Sequence, residues 1–131
     1  MARKRSPALT EAELTLMQVL WDLGEGTVAD VLDELPGPQK PAYNTVLTLL
    51  RILEKKGYLT HRKETRAFVY SPLIGREQAR QSALSHMLTR FFDNSPEQLV
   101  LNLLRSDRVS ADEVRRVRRL IEQSESPPGR A

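Results

Sequence analysis

Four residues at helical spacing, Asn44, Thr48, Arg51 and Lys55, carry the side chains of this sequence best suited to recognition chemistry. They follow i, i+4, i+7 and i+11, so they line one face of a helix running from about Ala42 to Lys56. An asparagine amide pairs with adenine in a bidentate way, and threonine offers its methyl to thymine. Arginine and lysine neutralise phosphate. Short polar groups near the helix start followed by longer cations is the order that suits a helix entering a major groove. Tyr43 is placed to contact a base or a phosphate, and the helix N-terminus itself favours a phosphate. The candidate recognition set is therefore Ala42, Tyr43, Asn44, Thr45, Thr48, Arg51 and Lys55. On the opposite face Val46, Leu49, Leu50 and Leu53 recur at i, i+3, i+4 and i+7 and predict burial. An ordinary amphipathic helix with a solvated outer face shows the same two stripes, so the surrounding elements must decide.

After Gly57 the hydrophobic period shortens from about 3.6 to 2. Residues 58–63 (Tyr-Leu-Thr-His-Arg-Lys) read as a strand, Glu64-Thr65-Arg66 as a turn, and Ala67-Phe-Val-Tyr-Ser as the returning strand closed by Pro72. Arg62, Lys63 and Arg66 sit at or near the tip of this hairpin. Long cations there suit a wing tracking a phosphate backbone, and they also protect an edge strand from aggregation. Charge follows the same division. Residues 10–35 hold seven acidic groups and no Lys or Arg, whereas residues 40–70 hold seven basic groups against Glu54 and Glu64, a local excess of +5 in a chain of net charge +3. A basic stripe beside an acidic block is the footprint of a polyanion-binding face.

The elements needed to hold the recognition helix are written before it. Thr10 and Glu13 form a capping box, Leu9 is placed to staple to Leu14, and Leu14, Met17, Leu20 and Trp21 make an apolar stripe that stops at Gly24. A second helix starts at Thr27, with Val28, Val31, Leu32 and Leu35 on one face, and ends at Pro36-Gly37-Pro38. Two helices, a turn between them and a following hairpin give the order of a winged helix-turn-helix. Beyond Gly75 the pattern is helical again. Leu84, Met87, Leu88 and Phe91 share a face up to about Phe92. Pro96 opens a helix reaching about Arg105, with Leu99, Val100, Leu103 and Leu104 apolar. The Ser110/Glu113 capping box starts a third, with Val114, Val117, Leu120 and Ile121 on one side. Three short amphipathic helices bury these faces by pairing with a second copy or by folding back on the N-terminal module. The expected fold is mainly α with a small β-hairpin. A winged-helix domain spans 1–75, a helical dimerisation segment 76–123 and a frayed tail 124–131, with Leu84, Met87, Leu88, Phe91, Leu99, Leu103, Val117, Leu120 and Ile121 at the dimer interface.

Composition narrows the function classes. The chain has 131 residues and no cysteine, which removes disulfides and thiolate metal sites. No apolar run is long enough for a membrane span, and Met1-Ala-Arg-Lys-Arg-Ser lacks the apolar core of a signal peptide, so a cytoplasmic location is expected. His61 and His86 lie in different elements and form no cluster with carboxylates at metal-ligand spacing. His61 is a candidate phosphate donor and His86 a helix-surface residue. Gly24-Glu25-Gly26 is a helix stop and no phosphate-binding loop, and no catalytic triad can be assembled. No enzyme activity, cofactor or metal is expected. The competing reading is a winged-helix protein-interaction module docking through the acidic block 10–35, without specific DNA binding.

The segments Leu14–Trp21, Thr27-Val-Ala-Asp-Val, 42–59 (Ala-Tyr-Asn-Thr-Val-Leu-Thr-Leu-Leu-Arg-Ile-Leu-Glu-Lys-Lys-Gly-Tyr-Leu) and Ala67-Phe-Val-Tyr-Ser-Pro together resemble the BlaI/MecI (penicillinase repressor) family over roughly residues 8–122. The resemblance implies a homodimeric transcriptional repressor whose two winged helices bind a double-stranded palindromic operator. It further implies inactivation by a membrane-bound sensor-protease, with cleavage after Asn102, where the family pattern follows with Phe and this chain has Leu103. The family's copper-responsive branch senses its metal through a cysteine cluster, which this chain lacks.

Overall fold

The computed structural model describes residues 8–125. In chain order they form α1 (Glu11–Leu23), α2 (Val28–Glu34), α3 (Tyr43–Lys55), β1 (Leu59–Glu64), β2 (Ala67–Pro72), α4 (Arg76–Phe91), α5 (Pro96–Arg105) and α6 (Ala111–Glu125). Contacts divide the chain into two units at the His86–Met87 junction. The change of pattern at Gly75 comes earlier. The first turns of α4 group with the N-terminal unit because Arg76 and Ala79 are tied to it: Arg76 pairs with Asp22 at 2.8 Å and lies over the Trp21 ring, and Ala79 packs on the core.

Local chemistry sets the helix ends of the first unit. Thr10 accepts from the Glu13 N–H while Glu13 accepts from the Thr10 N–H, so two of the otherwise orphaned donors at the start of α1 are satisfied reciprocally. Gly24 closes α1 at φ 88°, a conformation costly for a residue with a Cβ. Thr27 and Asp30 form the same box at α2, with aspartate in the role usually filled by Glu or Gln. α3 begins at Ala42 with no side-chain cap, and Gly57 follows its end at φ 92°.

The core of this unit is Leu16, Met17, Val19 and Leu20 of α1, Val28, Val31 and Leu35, Val46, Leu50 and Leu53 of α3, and Tyr58, Leu59, Tyr70 and Ile74 around the hairpin. The α3 stripe is as expected, with Leu49 half-buried. The α1 stripe differs: Leu16 and Val19 are buried, whereas Leu14 is 39% exposed and Trp21 lies at the margin. Helix α1 meets α2, α3 and β2 together, so its buried arc is wider than one stripe and is turned away from Leu14. Trp21 instead donates its indole N–H to the Ile74 carbonyl at 2.8 Å, fixing the chain where it leaves the hairpin.

Glu13 is a carboxylate 3% exposed in this core, and Lys56 reaches it at 2.7 Å. Burial pushes its carboxyl up. The Lys56 hydrogen bond and charge, together with the Thr10 bonds, outweigh that and hold it below its ordinary value. A carboxylate depressed in the folded state stabilises above its unfolded pKa, and the contribution is lost as pH falls through the folded value. Glu13→Gln is therefore expected to lower neutral-pH stability by on the order of 1–3 kcal/mol and to shrink the acid-side loss. Urea unfolding midpoints measured from about pH 5 downward check this; parallel pH profiles for the two proteins would count against it.

β1 and β2 pair antiparallel with Glu64 opposite Ala67, so Glu64 belongs to the strand and the turn is Thr65-Arg66, with Thr65 at φ 50°. Pro72 likewise stays in register, opposite Leu59. Gly26 adds a bridge on the other side of β2, exchanging N–H to carbonyl bonds of 2.9 and 2.8 Å with Tyr70.

In the second unit Ser95 caps α5 ahead of Pro96, and Ser110 and Glu113 box the start of α6. Helix α6 continues through Ser124 and Glu125, residues assigned to the tail from sequence, and the tail from Ser126 lies outside the described residues. No described residue beyond Ile74 is buried. Leu84, Met87 and Phe91 on α4, Leu103 on α5, and Val117, Leu120 and Ile121 on α6 are all exposed, as are Val100 and Leu104; Leu88 and Leu99 are half-buried.

Candidate nucleic-acid interface

α3 presents two distinct faces. Val46, Leu50 and Leu53 are fully enclosed, while Asn44, Thr45, Thr48, Arg51 and Lys55 all lie on the surface. Ala42 and Tyr43 are exposed at the helix start, Tyr43 by 54%. The four residues picked from spacing, Asn44, Thr48, Arg51 and Lys55, thus share one exposed face of α3, with the short polar pair at its N-terminal end.

The hairpin is joined to this helix through side chains. Arg51 and Tyr43 both lie close enough to the Tyr70 hydroxyl to act on it electrostatically. Burial raises the Tyr70 hydroxyl above its ordinary pKa, with the Glu54 charge adding to the effect, so it stays a neutral phenol. His61 sits with Nδ1 at 2.8 Å from both Glu54 carboxylate oxygens and packs its ring against Phe68 and Tyr70. The expectation that His61 serves a phosphate is therefore replaced at Nδ1 by a bond to the end of α3. Tyr43, Leu47 and Arg51 of α3 line a groove together with Arg66 and Phe68 of the hairpin and with Thr27 and Val28. Leu47 and Phe68 escaped sequence reasoning, because apolar side chains beside a polar stripe read as core.

The three wing cations are not equivalent. Lys63 and Arg66 form no ion pair among the described residues. Arg62 is held in a fork by Glu25, at 2.8 and 2.9 Å, and its Nε donates to Glu64 at 2.7 Å. The hydrogen bond from Arg62 holds the Glu25 carboxyl below its ordinary value, so it is a carboxylate at neutral pH. Glu25 was passed over in the sequence because Gly24-Glu25-Gly26 is locally just a helix stop.

Three of the seven acidic groups of residues 10–35 are engaged in the same way. Glu13 holds Lys56, Asp22 holds Arg76 and Glu25 holds Arg62, while Lys40 donates to the Leu32 and Asp33 carbonyls at 2.9 and 2.7 Å. Of the basic groups in residues 40–70, Arg51, Lys55, Lys63 and Arg66 supply the cationic surface of α3 and the wing.

His86 is half-buried on α4, and Asn102 is exposed within α5, its amide donating to the Gln98 carbonyl at 2.9 Å. Among the described residues no cluster of His, Asp and Glu is arranged to hold a metal ion, and no helix is long and apolar enough to cross a membrane.

The sequence matches the family model for penicillinase repressors over residues 9–123. It is 32% identical over 120 residues to the penicillinase repressor of Bacillus licheniformis, covering 92% of this chain and 94% of that one. It is 31% identical over 122 residues to the transcriptional regulator BlaI of Mycobacterium tuberculosis, covering 92% of this chain and 88% of the relative. The solution structure of the DNA-binding domain of the repressor BlaI superposes with a TM-score of 0.51 at 37% identity, over 58% of this chain and 93% of that domain.

Proposed function

The chain belongs to the penicillinase repressor family and is a DNA-binding transcriptional repressor, and from that premise we propose that it acts in the cytoplasm as a homodimer on a palindromic operator. The observation that carries the proposal is α3: a helix with one face locked in the core and Asn44, Thr48, Arg51 and Lys55 on the other. Asn44 and Thr48 read base edges. Lys63 and Arg66 at the wing, with Arg51 and Lys55 along the helix, neutralise phosphates. The apolar faces of residues 76–123 pair across the dimer and set the spacing of the two reading heads. No catalytic step is assigned, and blocking a promoter by occupancy needs none. The acidic block is a poor docking surface for another protein, since three of its carboxylates already hold Lys56, Arg62 and Arg76. Release by a sensor-protease cutting after Asn102 requires α5 to open first, because that bond lies inside a continuous helix.

Selection of bound sequences from random DNA tests this reading and is expected to return a palindrome. In the same assay Asn44→Ala costs on the order of 1–3 kcal/mol and relaxes preference at one base pair of each half-site. Lys63→Ala weakens all duplexes alike and flattens the salt dependence by about 0.9 in log–log slope. Equal losses on operator and random DNA for Asn44→Ala would remove base reading from that residue.

A further inference from the structure

Arg62 stands out among the basic residues around α3 and the wing because its charge is more than balanced. Glu25 grips both terminal nitrogens, and Glu64 faces Nε and the same Nη2 at 2.7 and 2.5 Å. Each of its three nitrogens thus donates to a carboxylate oxygen, and Nη2 has a second carboxylate oxygen beside it. One guanidinium between two carboxylates leaves a local net charge of −1 on a wing whose other cations, Lys63 and Arg66, form no ion pair among the described residues. The grip is built into the fold. The Gly26–Tyr70 bridge places Glu25 along one side of β2, and the His61–Tyr70 pairing places Arg62 along the other, so the carboxylate reaches across the strand. All three side chains remain about half exposed, at 47%, 49% and 56% for Arg62, Glu25 and Glu64, so an incoming anion has access to them.

We propose that Glu25 is a specificity-determining residue that competes with DNA phosphate for Arg62 and so raises the ratio of operator binding to random-duplex binding. Sequence-independent binding rests on phosphate neutralisation alone, and every available cation adds to it. With Arg62 engaged internally, a loose encounter gains nothing from it and meets local negative charge. On an operator, α3 seated in the groove holds the backbone against the wing, and a fixed phosphate can then take the guanidinium from Glu25 or share it. The fork geometry that fits a carboxylate fits a phosphate equally. This inference deepens the DNA-binding reading and rests on it.

The test uses the full-length chain as wild type, Glu25→Gln, Arg62→Ala and the double variant. Each is titrated by fluorescence anisotropy with one random-sequence duplex and one duplex recovered by selection, over a series of salt concentrations. Glu25→Gln is expected to bind the random duplex roughly fivefold tighter at physiological salt, with a log–log salt slope steeper by about 0.9. The selected duplex should gain less, so the ratio falls, and Arg62→Ala in the double variant should erase the gain. Glu64→Gln, which leaves the Gly26 loop untouched, should move both quantities in the same direction, and melting curves confirm that each variant is folded. Wild-type affinity and slope in both glutamine variants would overturn the proposal. So would a loss matching Arg62→Ala, since Glu25 would then only prop the wing. A wild-type chain that binds neither duplex at low salt removes the underlying reading as well, whereas wild-type binding with unchanged variants removes this inference alone.

Discussion

A chain carrying Leu120→Asp is expected to sediment as a monomer and to lose operator affinity by about two to four orders of magnitude. Leu120 is 64% exposed on α6, between Val117 and Ile121, which are also exposed. No described residue of the second unit is buried, so the described helices show no core of their own. Burying one such leucine against a partner stabilises by roughly 1.5–3 kcal/mol. A symmetric dimer repeats the substitution, so two carboxylates would enter the apolar contact, each at a desolvation cost of several kcal/mol. Each reading head would then meet its half-site independently, and the gain from linking the two is lost. The N-terminal module keeps its own core, so circular dichroism should retain the hairpin and α1–α3 while sedimentation reports the monomer. A Leu120→Asp chain that stayed dimeric with unchanged operator affinity would rule out this face as the interface.

Leu50→Ala has the largest expected effect on stability, about 2–5 kcal/mol. Leu50 is fully enclosed on α3 between Val46 and Leu53, which are also at 0% exposure. The neighbouring side chains come from other elements and relax only partly into the void. Small domains are stable by roughly 5–15 kcal/mol, so such a loss leaves a sizeable unfolded fraction near body temperature. DNA binding falls in proportion, without any change at the contacting face. Trp21 is the single tryptophan, tied through its indole to Ile74, and its fluorescence gives the urea midpoint directly. A loss below about 1 kcal/mol would indicate that α3 is packed loosely and can collapse around the gap.

The features legible from sequence were those whose causes are local. The Thr10/Glu13 and Ser110/Glu113 boxes, Pro96 at a helix start, the stops at Gly24 and Gly57 and the alternation of the hairpin each lie within a few residues. The two faces of α3 were readable because a single apolar stripe packs against one core. α1 was less so: three elements bury it, so Leu16 and Val19 turned inward while Leu14 did not. The Glu25–Arg62 grip joins residues 37 apart and the Glu13–Lys56 pair residues 43 apart. Their spacing carries no periodic signal. The acidic block and the basic stripe looked like separate surfaces in the sequence, and folding puts them partly face to face.

That cross-tying has a consequence for the order in which the protein is made. The acidic segment leaves the ribosome ahead of residues 40–76, carrying Glu13, Asp22 and Glu25 without a cation among residues 10–35. Glu13 lacks its ion-pair partner until Lys56 emerges, Glu25 until Arg62, and Asp22 until Arg76. Trp21 finds its acceptor only at Ile74. Early α1 therefore lacks the ion pairs and the indole bond that tie it into the finished fold. The reading head closes in a late step, once the beginning of α4 is free of the ribosome, and a nascent chain stalled before Arg76 should remain open to protease throughout its acidic half.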